Sequence, residues 1–295
     1  MATNIVSWSI DEEIYQKIKT FYIENQKVPS NDYVLFMAKT SDCTITIYKS
    51  YKAVFQGKDA LNEAMIFGYT NDNNWLFTDS HAGSDEVGTG DYFGPIVVCA
   101  SYVDQKSISE IEALGIKDSK KLSDGFISDI VPKIIKKYPH SILVLDNEKY
   151  NDLIRQGWNM NSLKAALHNK ALSNLNKKKG GINYFVIDQF CAPNNYYQYL
   201  KDSDEVIRNV KFETKGESKS AAVALSSIIA RYTFLKKMEE LKKKSGYDLP
   251  LGAGNLVDEM IQKILKERGM EFLKKIAKIN FKNTAKNTQE RLEVD

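Results

Sequence analysis

Gly83-Ser84-Asp85-Glu86-Val87-Gly88-Thr89-Gly90-Asp91-Tyr92-Phe93-Gly94-Pro95 carries two adjacent carboxylates inside a strand pattern, immediately before a Gly-x-Gly turn. The apolar run that follows, through Val103, predicts a second strand, so residues 82–87 and 94–103 read as a pair around a glycine turn. Acids are depleted in strands, and burying one without a partner is costly. A bound divalent cation would offset that cost. A polar hairpin with exposed acids is the alternative on this stretch alone. The turn lacks the Gly-Lys-Ser/Thr ending of a phosphate-binding P-loop. Continuation as strand rather than helix also excludes a dinucleotide-binding fingerprint.

Downstream, strand and helix patterns alternate as in an α/β core. Helices are expected near 107–114 and 123–137, a short buried strand at Ser141–Leu145 and an amphipathic helix over 161–178. Tyr184-Phe185-Val186-Ile187-Asp188 reads as a buried strand ending on an acid, and Val206–Phe212 as a further strand. A long helix follows from Ser218 to Lys244, its start small and apolar, then helices near 254–267 and 269–278. Asp188 is either a ligand residue at a strand's carboxyl end or a turn or helix cap. Lys215-Gly216-Glu217-Ser218 is either functional or a charged loop capping the long helix.

Upstream, residues 1–80 read as helix over 9–23, three antiparallel strands near 33–39, 44–48 and 52–57, and a helix from Lys58 to Ile66. Lys39, Lys49, Lys52 and Lys58 fall on or around that sheet, and Asn71-Asp72-Asn73-Asn74 forms a polar connector. The 295 residues thus divide into 1–70, a linker 71–80, and 81–295. The net charge of +3 divides unevenly too. Residues 1–80 hold seven lysines against ten acids, and the remainder 34 basic against 28 acidic residues. The basic part tolerates a polyanionic partner. A composition of 43% hydrophobic and 27% charged residues, with no apolar run of membrane-spanning length, predicts a soluble protein. Cys43, Cys99 and Cys191 are scattered and odd in number, which fits a reducing cytoplasm and excludes the usual zinc spacings.

The sequence from Asp85 to Pro95 closely resembles the signature of type 2 ribonucleases H, in the ribonuclease HIII form. The resemblance continues at Lys117-Asp118-Ser119-Lys120-Lys121-Leu122, Asn159–Asn169, Ile187–Phe190, Lys215–Ser218, Ser226–Arg231 and Leu249–Gly254, in family order over about 80–285. It implies a ribonuclease H-like mixed sheet flanked by helices, preceded over residues 1–70 by a small α+β domain resembling TATA-binding protein. The family's four metal-binding and catalytic carboxylates fall on Asp85, Glu86, Asp188 and Glu217. Glu at 217, where ribonucleases HII carry Asp, marks the HIII form. Gly88-Thr89-Gly90 stands where HII enzymes carry Gly-Arg-Gly, and Asn280 where many relatives carry His.

The implied activity is endonucleolytic hydrolysis of the RNA strand of RNA/DNA hybrids with two Mg2+ ions, or Mn2+, leaving 5′-phosphate and 3′-hydroxyl ends. Gly88, Thr89 and Gly90 are expected to contact the RNA 2′-hydroxyl. Lys120, Lys121 and Lys215 are expected to contact phosphates, and Asn161, Ser162 and His168 to order a helix beside the site. A cytoplasmic monomer is expected. The alternatives are an HII-like enzyme cutting at single ribonucleotides in DNA and a non-catalytic nucleic-acid-binding protein. One difficulty stands: neighbouring strand residues point to opposite faces, so Asp85 and Glu86 share a site only if one is re-aimed.

Overall fold

The computed structural model describes residues 4–29, 31–69, 75–117 and 122–292, and divides into two compact units, 1–74 and 75–295. Unit 1 begins with β1 (Asn4–Ser9), followed by α1 (Glu12–Phe21), β2 (Val34–Lys39), β3 (Cys43–Tyr48), β4 (Lys52–Gly57) and α2 (Ala60–Met65). The strands form an antiparallel sheet in the order β1-β4-β3-β2. The first strand corrects the expectation of helix from residue 9. Asn4-Ile5-Val6-Ser7-Trp8-Ser9 pairs with β4, and the helix starts only after Asp11, whose carboxylate caps Ile14 N–H at 2.8 Å. One sheet face buries Phe36, Ala38, Ile45, Ile47, Ala53 and Phe55 in a core shared with Ile18 and Tyr22 of the α1 segment and Ala60 and Ala64 of α2. The intervening residues, such as Thr44, Thr46, Lys52 and Val54, point to the opposite face and are half-buried or exposed.

Unit 2 contains β5 (His81–Val87), β6 (Ile96–Val103), α3 (Ile108–Ala113), α4 (Asp124–Ile134), β7 (His140–Leu145), α5 (Asn147–Arg155), α6 (Met160–Lys179), β8 (Phe185–Asp188) and α7 (Pro193–Tyr199). It continues with β9 (Val210–Glu213), α8 (Gly216–Lys219), α9 (Ala221–Ser245), α10 (Asn255–Glu267), α11 (Gly269–Ile276) and α12 (Lys282–Leu292). The sheet order is β7-β6-β5-β8-β9, with β5, β6 and β7 antiparallel and β5, β8 and β9 parallel. Helices cover both faces. Val97, Cys99 and Val103 pack with α3, α4, α9 and α10 on one side, while Ile96, Val98 and Ala100 pack with α5, α6 and α7 on the other.

Three expectations change in unit 2. Ser141–Leu145 is not a buried strand but the half-covered edge strand β7, with Val144 41% exposed, because among the described residues only β6 pairs with it. The long helix is broken at Ser220, whose extended backbone separates α8 from α9 and whose hydroxyl accepts from Val223 N–H at 3.1 Å. Ser220, rather than Glu217 or Ser218, is therefore the cap of α9. Helices α5, α7 and α12 join those anticipated. The small start of α9 lies hard against β5. A Cβ at Gly83 would stand 2.6 Å from Val223 N, and Ser226 Oγ donates to Gly83 O at 2.8 Å.

Candidate active site

The acid-bearing strand β5 sits at the centre of the sheet, between β6 and β8. Ser84 lies in register with Ile187, so Asp85 and Asp188 occupy neighbouring positions at the carboxyl ends of parallel strands. Ile187 faces the α6 side, and Val186 packs on Val223 of α9, so alternation directs Asp188 to the α9 side. Asp85 is opposite Cys99, a residue of the α9-side core, and bonds Ser227 of α9. These two carboxylates share one face. Glu217, 5% exposed, is delivered by the short helix α8 directly after the left-handed Lys215, while Gly216 N–H donates to Asp188 Oδ1 at 2.8 Å.

Glu86 answers the difficulty of adjacent strand residues. It turns to the opposite face, where His168 Nε2 donates to its Oε2 at 2.8 Å and the Lys164 ammonium pairs with its Oε1. Lys164 and His168 lie four residues apart on one face of α6. His168 is fully buried, bonds Ser84 Oγ through Nδ1 at 2.7 Å and stacks on Phe190, while Lys164 stands 4.3 Å over the same ring. His168, expected to order the helix beside the site, instead touches one of the four acids directly. Asn161 and Ser162 act at the start of α6, where Ser162 completes a capping box with Asn159.

Electrostatics separates the two adjacent acids. Burial, followed by the charges of Glu86 and Asp188, pushes the Asp85 carboxyl up to about 8. Burial acts on Glu86 in the same sense, but the His168 hydrogen bond and the Lys164 charge outweigh it and hold the group below its ordinary value. A pocket of about 290 Å3 opens over Asp85 and Glu86, walled by Ser227 and Arg231 of α9 and by Asp124 and Ile127 of α4. Arg231 holds Asp124 through two bonds, at 2.8 and 2.9 Å.

The turn after β5 runs beside these acids. Gly88 has φ +90°, and a Cβ there would lie 2.2 Å from Pro95 O, so glycine is required. Thr89 is half-buried and Gly90 exposed, with open space where a Cβ would stand. Lys215 is exposed. Lys120 and Lys121 lie outside the described residues.

Four carboxylates with no sulfur among them are the donor chemistry of a hard divalent cation. Asp85, ionised only against burial and two like charges, is a group that such a cation would relieve. Among the described residues no group of three or more His, Cys, Asp or Glu side chains stands ready to hold an ion, and both oxygens of Glu86 are engaged from α6. The fit is therefore one of donor type and local charge, with Glu86 tied back. Lys164, Ser227 and the Asp124–Arg231 pair bond the acids or wall the pocket without having been singled out from the sequence, although Ser227 and Arg231 fall within the Ser226–Arg231 stretch of the resemblance. The one signal for Lys164 was its four-residue spacing from His168.

Comparison with known proteins gives a consistent outcome. Residues 82–284 match the family model described as Ribonuclease HII, and residues 4–75 match a model described as a domain of unknown function, DUF3378. Ribonuclease HIII of Bacillus mycoides (strain KBAB4) is 44% identical, covering 97% of this chain and 98% of its own. That of Bacillus cereus (strain AH187) is 46% identical over 85% and 88%. Among solved structures, Bst-RNase HIII in complex with Mn2+ aligns with a TM-score of 0.72 at 40% identity, over 97% of this chain and 98% of that one. Ribonuclease H2 from Pyrococcus horikoshii OT3 aligns with a TM-score of 0.62 at 25% identity, over 72% and 98%.

Proposed function

Because the chain belongs to the type 2 ribonuclease H family, in its ribonuclease HIII form, we propose that Asp85, Glu86, Asp188 and Glu217 carry its endoribonuclease activity on RNA/DNA hybrids. The observation that supports this reading is the Asp85 carboxyl, raised by burial and then by its acidic neighbours, at the edge of a pocket beside the glycine turn. The four acids would hold two divalent ions, Mg2+ or Mn2+, which when bound supply an activated water and stabilise charge on the leaving oxygen.

The chain's own residues do the rest. Asp85 and Asp188, on one face, would hold the ions from the strand side, and Glu217 would do so from α8. Ser227 and the Glu86 N–H, the latter 2.7 Å from Asp85 Oδ1, fix the Asp85 rotamer. His168 and Lys164 hold Glu86 as a carboxylate. Gly88, Thr89 and Gly90 present backbone to the 2′-hydroxyl that distinguishes RNA from DNA. Lys215, with Lys120 and Lys121, contacts phosphates, and the lysine-bearing sheet face of unit 1 adds affinity for the duplex. Hydrolysis leaves 5′-phosphate and 3′-hydroxyl ends, and the enzyme works as a cytoplasmic monomer. Among the described residues no helix is long and apolar enough to cross a membrane.

The test is an all-RNA/DNA hybrid assayed beside a DNA duplex containing one ribonucleotide, with Mg2+ and with EDTA. Metal-dependent cutting at many positions of the hybrid, with weak cutting at the single ribonucleotide, is expected. Preferential cutting at the single ribonucleotide would point to HII-like specificity, and no cutting of either would leave a binding protein.

A further inference from the structure

Lys278 is fully buried, an unusual place for a lysine, and it takes no part in the chemistry described above. Its ammonium donates to Asp91 O at 2.8 Å and to Gly94 O at 2.5 Å, the two carbonyls that bracket Tyr92-Phe93. Gly94 O also accepts from Asn147 Nδ2 at 2.9 Å, which fills both of its lone pairs. The backbone repeats the clasp. Lys278 N–H donates to Tyr92 O at 2.9 Å, Gly94 N–H to Ile276 O at 3.2 Å, and Phe93 bridges to Ala277. From the other side, Gly252 N–H donates to Asp91 Oδ1 at 2.6 Å and Tyr92 N–H to Gly252 O at 2.8 Å.

Burial pushes the Lys278 ammonium down to about 7, with Asp91 pulling the other way. A neutral amine still has two N–H donors, one for each carbonyl. An apolar side chain of similar length would fill the same space without the cost of burying charge. What the lysine adds is two directed bonds on the backbone just after Gly88-Thr89-Gly90. The other end of that turn is fixed by β5, so Lys278 closes the downstream end.

We propose that Lys278 is a positioning residue that holds the Gly88–Gly90 turn in its hybrid-binding conformation, so that the 276–280 segment tunes substrate recognition from behind the site. This rests on the reading that the turn contacts the hybrid. The full chain carrying Lys278→Met is therefore compared with Asn147→Ala and with Gly90→Val, in steady-state cleavage of an RNA/DNA hybrid and in thermal melting. Assayed well below its melting point, Lys278→Met is expected to raise KM about tenfold, as removing two directed bonds implies, and to leave kcat within about twofold. Asn147→Ala, removing one donor from Gly94 O, is expected to raise KM about threefold.

An unchanged KM in Lys278→Met overturns the proposal. So does a loss of activity that merely follows a lower melting point, because a purely structural lysine would behave that way. If Lys278→Met does not accumulate as folded protein, Asn147→Ala decides, and an unchanged KM there is equally fatal. Gly90→Val separates the two levels, since its side chain meets open space within the fold. If it leaves KM unchanged, the turn does not contact the hybrid. If it raises KM while Lys278→Met does not, only the role of Lys278 falls.

Discussion

Asp85→Asn is expected to abolish cleavage and, in the absence of metal, to make the protein more stable. Asp85 is 3% exposed, and its carboxyl rises from 3.8 to about 8 on folding, first through burial and then through Glu86 and Asp188. A raised carboxyl binds more protons in the folded state than in the unfolded chain, so it costs stability as pH climbs from 3.8 towards 8. At about 1.4 kcal/mol per pH unit, the cost at pH 7 is on the order of 4 kcal/mol. Asparagine keeps the shape and never ionises, which removes that cost. The altered bond to Ser227 takes back about 1 kcal/mol, leaving a net gain on the order of 3 kcal/mol. Urea unfolding in EDTA, followed by tryptophan fluorescence, measures the difference between the two proteins at pH 4, 7 and 8.5. The gain should be near zero at pH 4, large at pH 7 and level above pH 8. Adding Mg2+ should stabilise the wild type more than the variant, because binding to the folded state adds stability by mass action. A variant no more stable than wild type at pH 7, or a gain that persists at pH 4, would refute the electrostatic account of the site.

Two further outcomes follow from packing and charge. Gly83→Ala forces a Cβ to within 2.6 Å of Val223 N in α9, and should cost about 1–3 kcal/mol by overpacking, seen as a lowered melting temperature; an unchanged melting temperature would mean that α9 is free to shift. Removing unit 1 should weaken hybrid binding and flatten its salt dependence, by about 0.9 in the slope of log affinity against log salt for each phosphate that unit 1 neutralises; identical slopes for the long and short chains would argue against a phosphate-binding sheet.

The alternation of strands and helices after residue 80 was legible because apolar periodicity is a local property. Asp85 and Glu86 stood out for the same reason, as adjacent acids within a strand pattern just before a glycine turn. What escaped depends on neighbours that a linear reading cannot count. Ser141–Leu145 looks as apolar as a central strand, yet it lies at the edge of the sheet order, beyond β6. β1 was missed because Ile10, Ile14 and Ile18 continue with helical spacing and masked the alternation before them. The break at Ser220 was hidden because Ser-Lys-Ser-Ala-Ala suits a helix interior and a helix start equally well. The placement of the acids on opposite faces follows from strand geometry, but the partners that exploit it, Ser227 on one side and Lys164 on the other, arrive from distant helices.

The parallel pairing of β5 with β8 also governs when the enzyme can exist. Asp85 leaves the ribosome long before Asp188 and Glu217, and α9, which covers their face, is complete only at Ser245. At typical synthesis speeds the interval from Asp85 to Ser245 lasts about 10–30 s. Until Asp188 is made the growing chain holds only two of the four acids, and the α9 residues that wall the pocket, Ser227 and Arg231, come later still. A chain ending before that helix would lack the side of the pocket that Ser227 and Arg231 supply and the Ser227 bond to Asp85.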